Sequence, residues 1–236
     1  MLRRSRVLLA AALIALASCG GSSKSSRDGT SGDDIPLPAE CTLAPYTAHV
    51  VRDGGLPAGS ATYNVIGAAA IQTPLVPDRD QVLTYQQSKQ MGETTDLVGY
   101  ALLFGDEQFG VDDVSLFSGY TPEAAGKSRG VVSIYPSTLT PLAVGDVVTS
   151  MPMDEVGLFT TLNNLGMDFK ATPDEYMGYT NSIRGRVTIL GLNDEAICLD
   201  VDLSWDVSDL TTSSSGTLVL RGVFTAPLTE RTLPLG

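Results

Sequence analysis

Ala196 to Ser208 reads AICLDVDLSWDVS. Ile197, Leu199, Val201, Leu203, Trp205 and Val207 alternate with Cys198, Asp200, Asp202, Ser204, Asp206 and Ser208. A strand sends successive side chains to opposite faces, so this order gives one apolar and one polar face. A helix would scatter the same residues around its circumference, so the stretch predicts a half-buried strand. Thr217–Thr225 (TLVLRGVFT) repeats the pattern beyond a Ser-rich turn, Thr211–Gly216. Ile183–Leu190 (IRGRVTIL) precedes it, separated by Gly191-Leu192-Asn193-Asp194, residues that favour turns. These segments predict a three-stranded antiparallel meander near the C-terminus.

Working upstream, Tyr46–Arg52, Ser60–Ile66, Gln81–Tyr85, Leu97–Phe104, Gly130–Tyr135 and Val144–Thr149 are further strand candidates. Turn-forming stretches such as Asp53-Gly54-Gly55 divide them. Roughly eight or nine strands predict a mainly β domain, an antiparallel β-sandwich or open barrel. Two segments depart from period two. Met153–Leu165 spaces Val156, Phe159, Leu162 and Leu165 as a helix would, with Gly166 as its stop. Thr172-Pro173-Asp174-Glu175 reads as a cap followed by a first-turn Pro and acids. One or two short helices are therefore expected in an insertion. The connections 105–129 and 150–182 are long, and long loops in compact β domains are where binding residues often sit.

The chain has 236 residues, 43% of them hydrophobic and 18% charged, which suits a folded core. Its formal net charge is -12, from 15 Lys+Arg against 27 Asp+Glu. Phosphate backbones need clustered cations, so nucleic acid is excluded as a partner.

The N-terminus has three parts. Arg3, Arg4 and Arg6 are basic, and Val7–Leu16 is apolar throughout. Leu16-Ala17-Ser18-Cys19 follows, and then Gly20-Gly21. Ten apolar residues rise only about 15 Å as a helix, half a bilayer, so the run reads as a signal-peptide segment and not a span. The segment resembles the signal of bacterial lipoproteins, whose lipobox is Leu–small–Gly/Ala/Ser–Cys. The resemblance implies cleavage before Cys19, acylation of its thiol and new amino group, and a membrane anchor. In that family an Asp after the Cys retains the protein at the inner membrane. Gly20 stands there instead, which implies the outer membrane of a Gram-negative cell envelope. Removal of residues 1–18 takes three Arg with it and carries the net charge to -15.

Residues 20–34 (GGSSKSSRDGTSGDD) contain no apolar side chain larger than Thr. They bury too little to offset their ordering entropy. The expected organisation is a signal at 1–18, a lipidated Cys and flexible tether at 19–40, and one β-rich domain at 41–236. Cys41 and Cys198 remain once Cys19 is acylated. An even pair in an exported protein predicts one disulfide.

Catalytic patterns are sparse. His49, the single His, lies in a strand-like run with no nucleophile marked beside it, and a strand-packed His is the simpler reading. Gly126-Lys127-Ser128 has the tail of a phosphate-cradling loop, but position 121 is Thr where the motif needs Gly. Acid pairs are plentiful: Asp78/Asp80, Asp106/Glu107, Asp112/Asp113, Asp154/Glu155, Asp174/Glu175 and Asp194/Glu195. Opposed carboxylates would suit an envelope hydrolase, yet such pairs are also what exposed loops of an acidic protein contain. Asp106, Glu107, Asp112 and Asp113 share one loop and are the best-placed oxygen ligands for calcium, as in a calcium-stabilised adhesion domain. Asp200, Asp202 and Asp206 line one strand face, where even a two-residue step is about 6.8 Å, too long for one ion. No cofactor is implied beyond a covalent lipid. The leading expectation is a lipid-anchored envelope domain with a non-catalytic binding or structural role and an envelope or surface partner.

Overall fold

A computed structural model of the chain describes residues 36–53, 62–78, 81–84, 97–109, 122, 125–136, 140–150, 165–171, 177–179, 183–209 and 214–229. Among these residues every regular element is a strand. In chain order they are β1 (Tyr46–Arg52), β2 (Tyr63–Val65), β3 (Gly67–Asp78), β4 (Gln81–Thr84), β5 (Val98–Gly105) and β6 (Arg129–Ile134). Then come β7 (Val147–Thr149), β8 (Leu165–Lys170), β9 (Met177–Tyr179), β10 (Arg184–Leu192), β11 (Ala196–Asp209) and β12 (Ser214–Thr229). They form one sheet ordered β7-β10-β11-β12-β3-β5-β6-β8, curled into a nearly closed barrel. β1, β4 and β9 pair from the side onto β12, β3 and β11 of this path, and β2 pairs onto β1.

The meander β10-β11-β12 is present and longer than the alternation predicts. β11 pairs with β12 from Ala196↔Pro227 to Asp209↔Ser214, so Ser214, Ser215 and Gly216 belong to the strand and not to the turn. Ile197, Leu199, Val201 and Leu203 all face the core, as their period of two requires. The β10–β11 turn sits two residues later than Gly191 suggests. Gly191 and Leu192 pair with Cys198 and Ile197, and the turn closes through Asn193, whose side-chain oxygen accepts from the amides of Glu195 and Ala196. Gly191 serves a close approach instead. A Cβ there would stand 2.6 Å from Leu37 Cδ2 and 3.2 Å from Pro38 Cδ.

The pairing is not wholly antiparallel. β12 is so long that one of its edges serves two neighbours. His49–Arg52 of β1 pair antiparallel with Leu218–Arg221, while Leu228 and Thr229 pair parallel with Ala70 and Ile71 of β3. This parallel contact joins the meander to the β3-β5-β6-β8 half and makes the sheet mixed.

Three strands escape the sequence reading: β3, β8 and the short β9. β3 (GAAAIQTPLVPD) has small residues and two prolines where β-branched residues usually mark a strand. Its small side chains fit because both of its faces are covered: Ala70 packs into the main core, and Ala69 and Ile71 are buried on the opposite side. β8 is hidden by the helical spacing read up to Leu165. Leu165 is the first residue of β8, and Gly166 lies inside the strand instead of stopping a helix. Leu165, Met167 and Phe169 alternate into the core. The rest of the expected helix, 153–164, and the cap at 172–175 lie outside the described residues.

The interior is filled with side chains. Phe104 of β5 is the hub, with ring centroids 4.8 Å from Phe224, 6.0 Å from Tyr63 and 6.2 Å from Phe169. Phe104→Ala is expected to lower the unfolding free energy by about 3–5 kcal/mol, read by denaturant titration. A loss below about 1 kcal/mol would show that the barrel collapses around the missing ring. Gly130 on β6 makes room for this residue, since a Cβ there would lie 2.4 Å from Phe104 Cζ.

Cys41 and Cys198 form the expected disulfide, with Cα atoms 5.8 Å apart. Cys198 lies on the polar side of β11 and is nevertheless fully buried. The segment 37–41 explains this: it crosses the outside of β10 and β11, with Leu37 and Pro38 on Gly191 and Cys41 on Cys198.

Candidate functional site

The densest polar cluster among the described residues forms where the β5–β6 connection leaves and re-enters the sheet. β5 is apolar along nearly its whole length, so it must be covered on both faces. Tyr100, Leu102 and Phe104 point into the barrel, which turns Ala101 and Leu103 outward. Leu103 and Ile71 are buried there, with Phe109 and Val131 packed against them. Residues 106–109, the start of the connection, therefore fold back over the outside of β3-β5-β6.

Glycines admit this return. A Cβ on Gly67 would lie 2.4 Å from the Glu107 carbonyl oxygen, and one on Gly105 would lie 3.1 Å from Arg129 Cγ. Arg129, the first residue of β6, alternates with the inward Gly130 and Val132, so it too faces outward. It is only 2% exposed, with its guanidinium 4.6 Å from the centre of the Phe109 ring and its Nε 2.6 Å from Glu107 Oε1. Carboxylate and aromatic face thus compensate a cation that burial alone would make costly.

A second set of bonds secures the same end. The Ser128 amide donates to Asp106 Oδ1 at 2.8 Å, and the Asp106 amide donates back to the Ser128 carbonyl at 3.2 Å. Lys127 Nζ donates to the Asp106 carbonyl, and Gln108 Nε2 to the Ile66 carbonyl. Tyr63 reaches from β2 to place its hydroxyl 3.0 Å from the Ser128 carbonyl and 2.9 Å from Ser128 Oγ. Gly126, which reads as part of a phosphate loop, has φ +80° in the turn just ahead of these residues. Lys127 and Ser128 work here as loop fasteners.

Among the described residues, the polar groups of this cluster bond one another and hold the loop. Desolvation pushes the Tyr63 hydroxyl well above its ordinary range, with the Ser128 bond opposing, so it stays protonated at neutral pH and takes no proton from Ser128. Burial raises Tyr46, Tyr100 and Tyr135 in the same direction. The unfolded chain ionises its phenols near pH 10 while the folded chain keeps these four protonated. Above that pH the unfolded state binds fewer protons, so stability declines as pH rises from about 10 toward the folded values. In an alkaline titration, part of the tyrosinate absorbance should appear together with loss of the β spectrum. Full tyrosinate absorbance with the spectrum intact would contradict it.

Of the four calcium candidates, Asp106 and Glu107 turn toward Ser128 and Arg129, whereas Asp112 and Asp113 lie outside the described residues. Among the described residues no three His, Cys, Asp or Glu side chains gather for a metal ion. Asp194 and Glu195 sit at the β10–β11 turn. Asp112/Asp113, Asp154/Glu155 and Asp174/Glu175 lie outside the described residues, as does Asp80 of its pair.

The outside of the meander is a charged lattice. Register places Arg186, Asp202, Arg221 and His49 side by side on β10, β11, β12 and β1. Arg221 Nε bonds Asp202 Oδ1 at 2.7 Å, and Arg184 grips both oxygens of Asp206 at 2.8 and 2.9 Å. Asp202 and Asp206 of the opening stretch are thus partners for cross-strand arginines. His49 stands opposite Arg221 in the strand the sequence reading gave it.

Sequence reading missed Arg129 and Phe109 as a unit. The only trace was β5 itself, apolar on both faces, which requires an outer cover. Comparison with known proteins finds no matching family model, no matching curated protein and no matching solved structure.

Proposed function

We propose that this chain is a lipid-anchored β domain of the cell envelope with a non-catalytic binding or structural role. One observation carries the anchor: Leu16-Ala17-Ser18-Cys19, placed behind three arginines and ten apolar residues. In this reading the signal is cleaved before Cys19, whose thiol receives a diacylglycerol and whose amino group an acyl chain. Each buried methylene contributes about 0.8 kcal/mol, so several chains together make release negligible. Gly20 after the Cys favours the outer membrane of a Gram-negative bacterium. The Cys41–Cys198 disulfide supports export to an oxidising compartment. A net charge of -15 after cleavage keeps the domain soluble beside anionic lipid, leaving the acylated Cys as the membrane contact.

The non-catalytic part rests on how the chain uses its polar groups. Glu107 engages Arg129, Asp106 engages Ser128, and Tyr63 is held protonated, so these groups fix a loop against the sheet. The barrel interior is packed with aromatic rings. An envelope or surface partner would then meet the loops or the outer sheet face.

Fractionation tests the anchor. Wild-type chain should sediment with membranes and be released by detergent, and Cys19→Ser should appear in the soluble fraction. A Cys19→Ser chain that still sediments with membranes would refute it.

A further inference from the structure

A lipid anchor on Cys19 would load the domain mechanically from its N-terminal side. If the chain is tethered at Cys19, any drag on the domain reaches it through residues 20–36. The first strand met is β1, which is weakly held against a pull from its N-terminal end. It pairs with β2 through Tyr46, Thr47 and Ala48, and with β12 through His49 to Arg52. Tension at Tyr46 would break these pairs one after another. Ala48 and Val50 are core residues, so the loss of β1 would open the barrel.

We propose that the Cys41–Cys198 disulfide is a strain-relief clasp, which takes the tether's pull off β1 and delivers it to β11. The inference rests on the anchor reading for the source of the load. Cys41 lies five residues before β1, and its partner lies near the start of β11. β11 is flanked on both sides, by β12 from Ala196 to Asp209 and by β10 from Ile197 to Ser204. The disulfide is a short covalent path between the tether and β11. Residues 42–197 form the long path in parallel with it, so they bear almost no tension while the bond is intact. The segment ahead of the bond is seated as well. Leu37 and Pro38 lie on Gly191 of β10, and the Cys41 amide donates to the Pro38 carbonyl at 2.9 Å. The clasp is protected, since both cysteines are buried and Thr225 Oγ1 lies 3.3 Å from Cys198 Sγ.

Single-molecule pulling on the full chain, unlipidated and held by its Cys19 thiol and its C-terminus, tests the clasp. A folded, oxidised molecule is kept at a constant force below that at which it ruptures, and a dithiol reductant is then added. The expected record is an extra lengthening step after reduction, equal to release of residues 42 to about 65, with the rest of the domain rupturing later. Oxidised molecules should show no such step at any force below rupture. The early step in oxidised molecules would overturn the clasp. So would reduction that leaves the record unchanged or unfolds the whole domain in one step. Because the handle replaces the lipid, an unacylated Cys19 would defeat the anchor reading and leave this measurement intact.

Discussion

Replacing Glu107 with Gln is expected to lower the unfolding free energy by about 3–5 kcal/mol, the usual cost of removing one partner from a buried ion pair. Arg129 is 2% exposed and Glu107 12%, so water is poorly placed to replace the lost charge. The Phe109 ring offsets only part of the loss, about 0.5–2 kcal/mol for a cation on an aromatic face. The folded-back connection cannot slide away cheaply, because its carbonyl at 107 already sits in the space beside Gly67. A paired apolar replacement, Glu107→Leu with Arg129→Met, should recover most of the loss, since no charge is left without compensation. Urea titration of the three proteins reads the result. A loss under about 1 kcal/mol in Glu107→Gln would mean that the loop opens and lets water reach Arg129. The same opening would then expose Leu103 and Ile71, and a hydrophobic dye would bind.

Removal of the disulfide has the second large effect. The bond closes a loop of 157 residues, and the chain-entropy model assigns such a cross-link about 5 kcal/mol. Small domains of this kind have total stabilities of about 5–15 kcal/mol, so Cys41→Ala is expected to bring the protein close to unfolding at physiological temperature. Cys198→Ala should cost nearly the same, and the double variant little more than either one, because both changes delete one covalent interaction. Thermal melting of the three variants checks the size and the non-additivity. Additive losses would show that each side chain contributes mainly by packing. The bond itself is checked by labelling: with Cys19 blocked, the unreduced protein should take up no thiol reagent at Cys41 or Cys198.

β11 is the most legible strand because one of its faces is wet. β11 alternates six apolar with six polar residues between Ile197 and Ser208, and period two is unambiguous when one side meets solvent. β3 was illegible for the opposite reason. Both of its faces are covered, so its run of small residues carries no alternation to read. Gly191 misled because glycine marks turns and close approaches alike, and only the position of Leu37 decides between them. Leu165 misled because Val156, Phe159, Leu162 and Leu165 fit a helix locally, whereas pairing with Ile134 commits Leu165 to a strand. The disulfide was legible from arithmetic: of three cysteines, the lipobox resemblance sets one aside and leaves a pair. The Glu107–Arg129–Phe109 cluster was not legible. Glu107 and Arg129 stand 22 residues apart, and nothing local tells one acid of a long acidic loop from another. Their meeting depends on the connection folding back, which is a property of the sheet and of Gly67 and Gly105.

We propose that this domain is held to the envelope by a lipid on Cys19. Mass spectrometry of the N-terminal peptide, taken from protein isolated from membranes, tests it most directly. The predicted result is a chain that begins at Cys19, with a diacylglyceryl group on sulfur and an acyl group on nitrogen. A chain that retains residues 1–18, begins at another residue, or carries an unmodified Cys19 would contradict it.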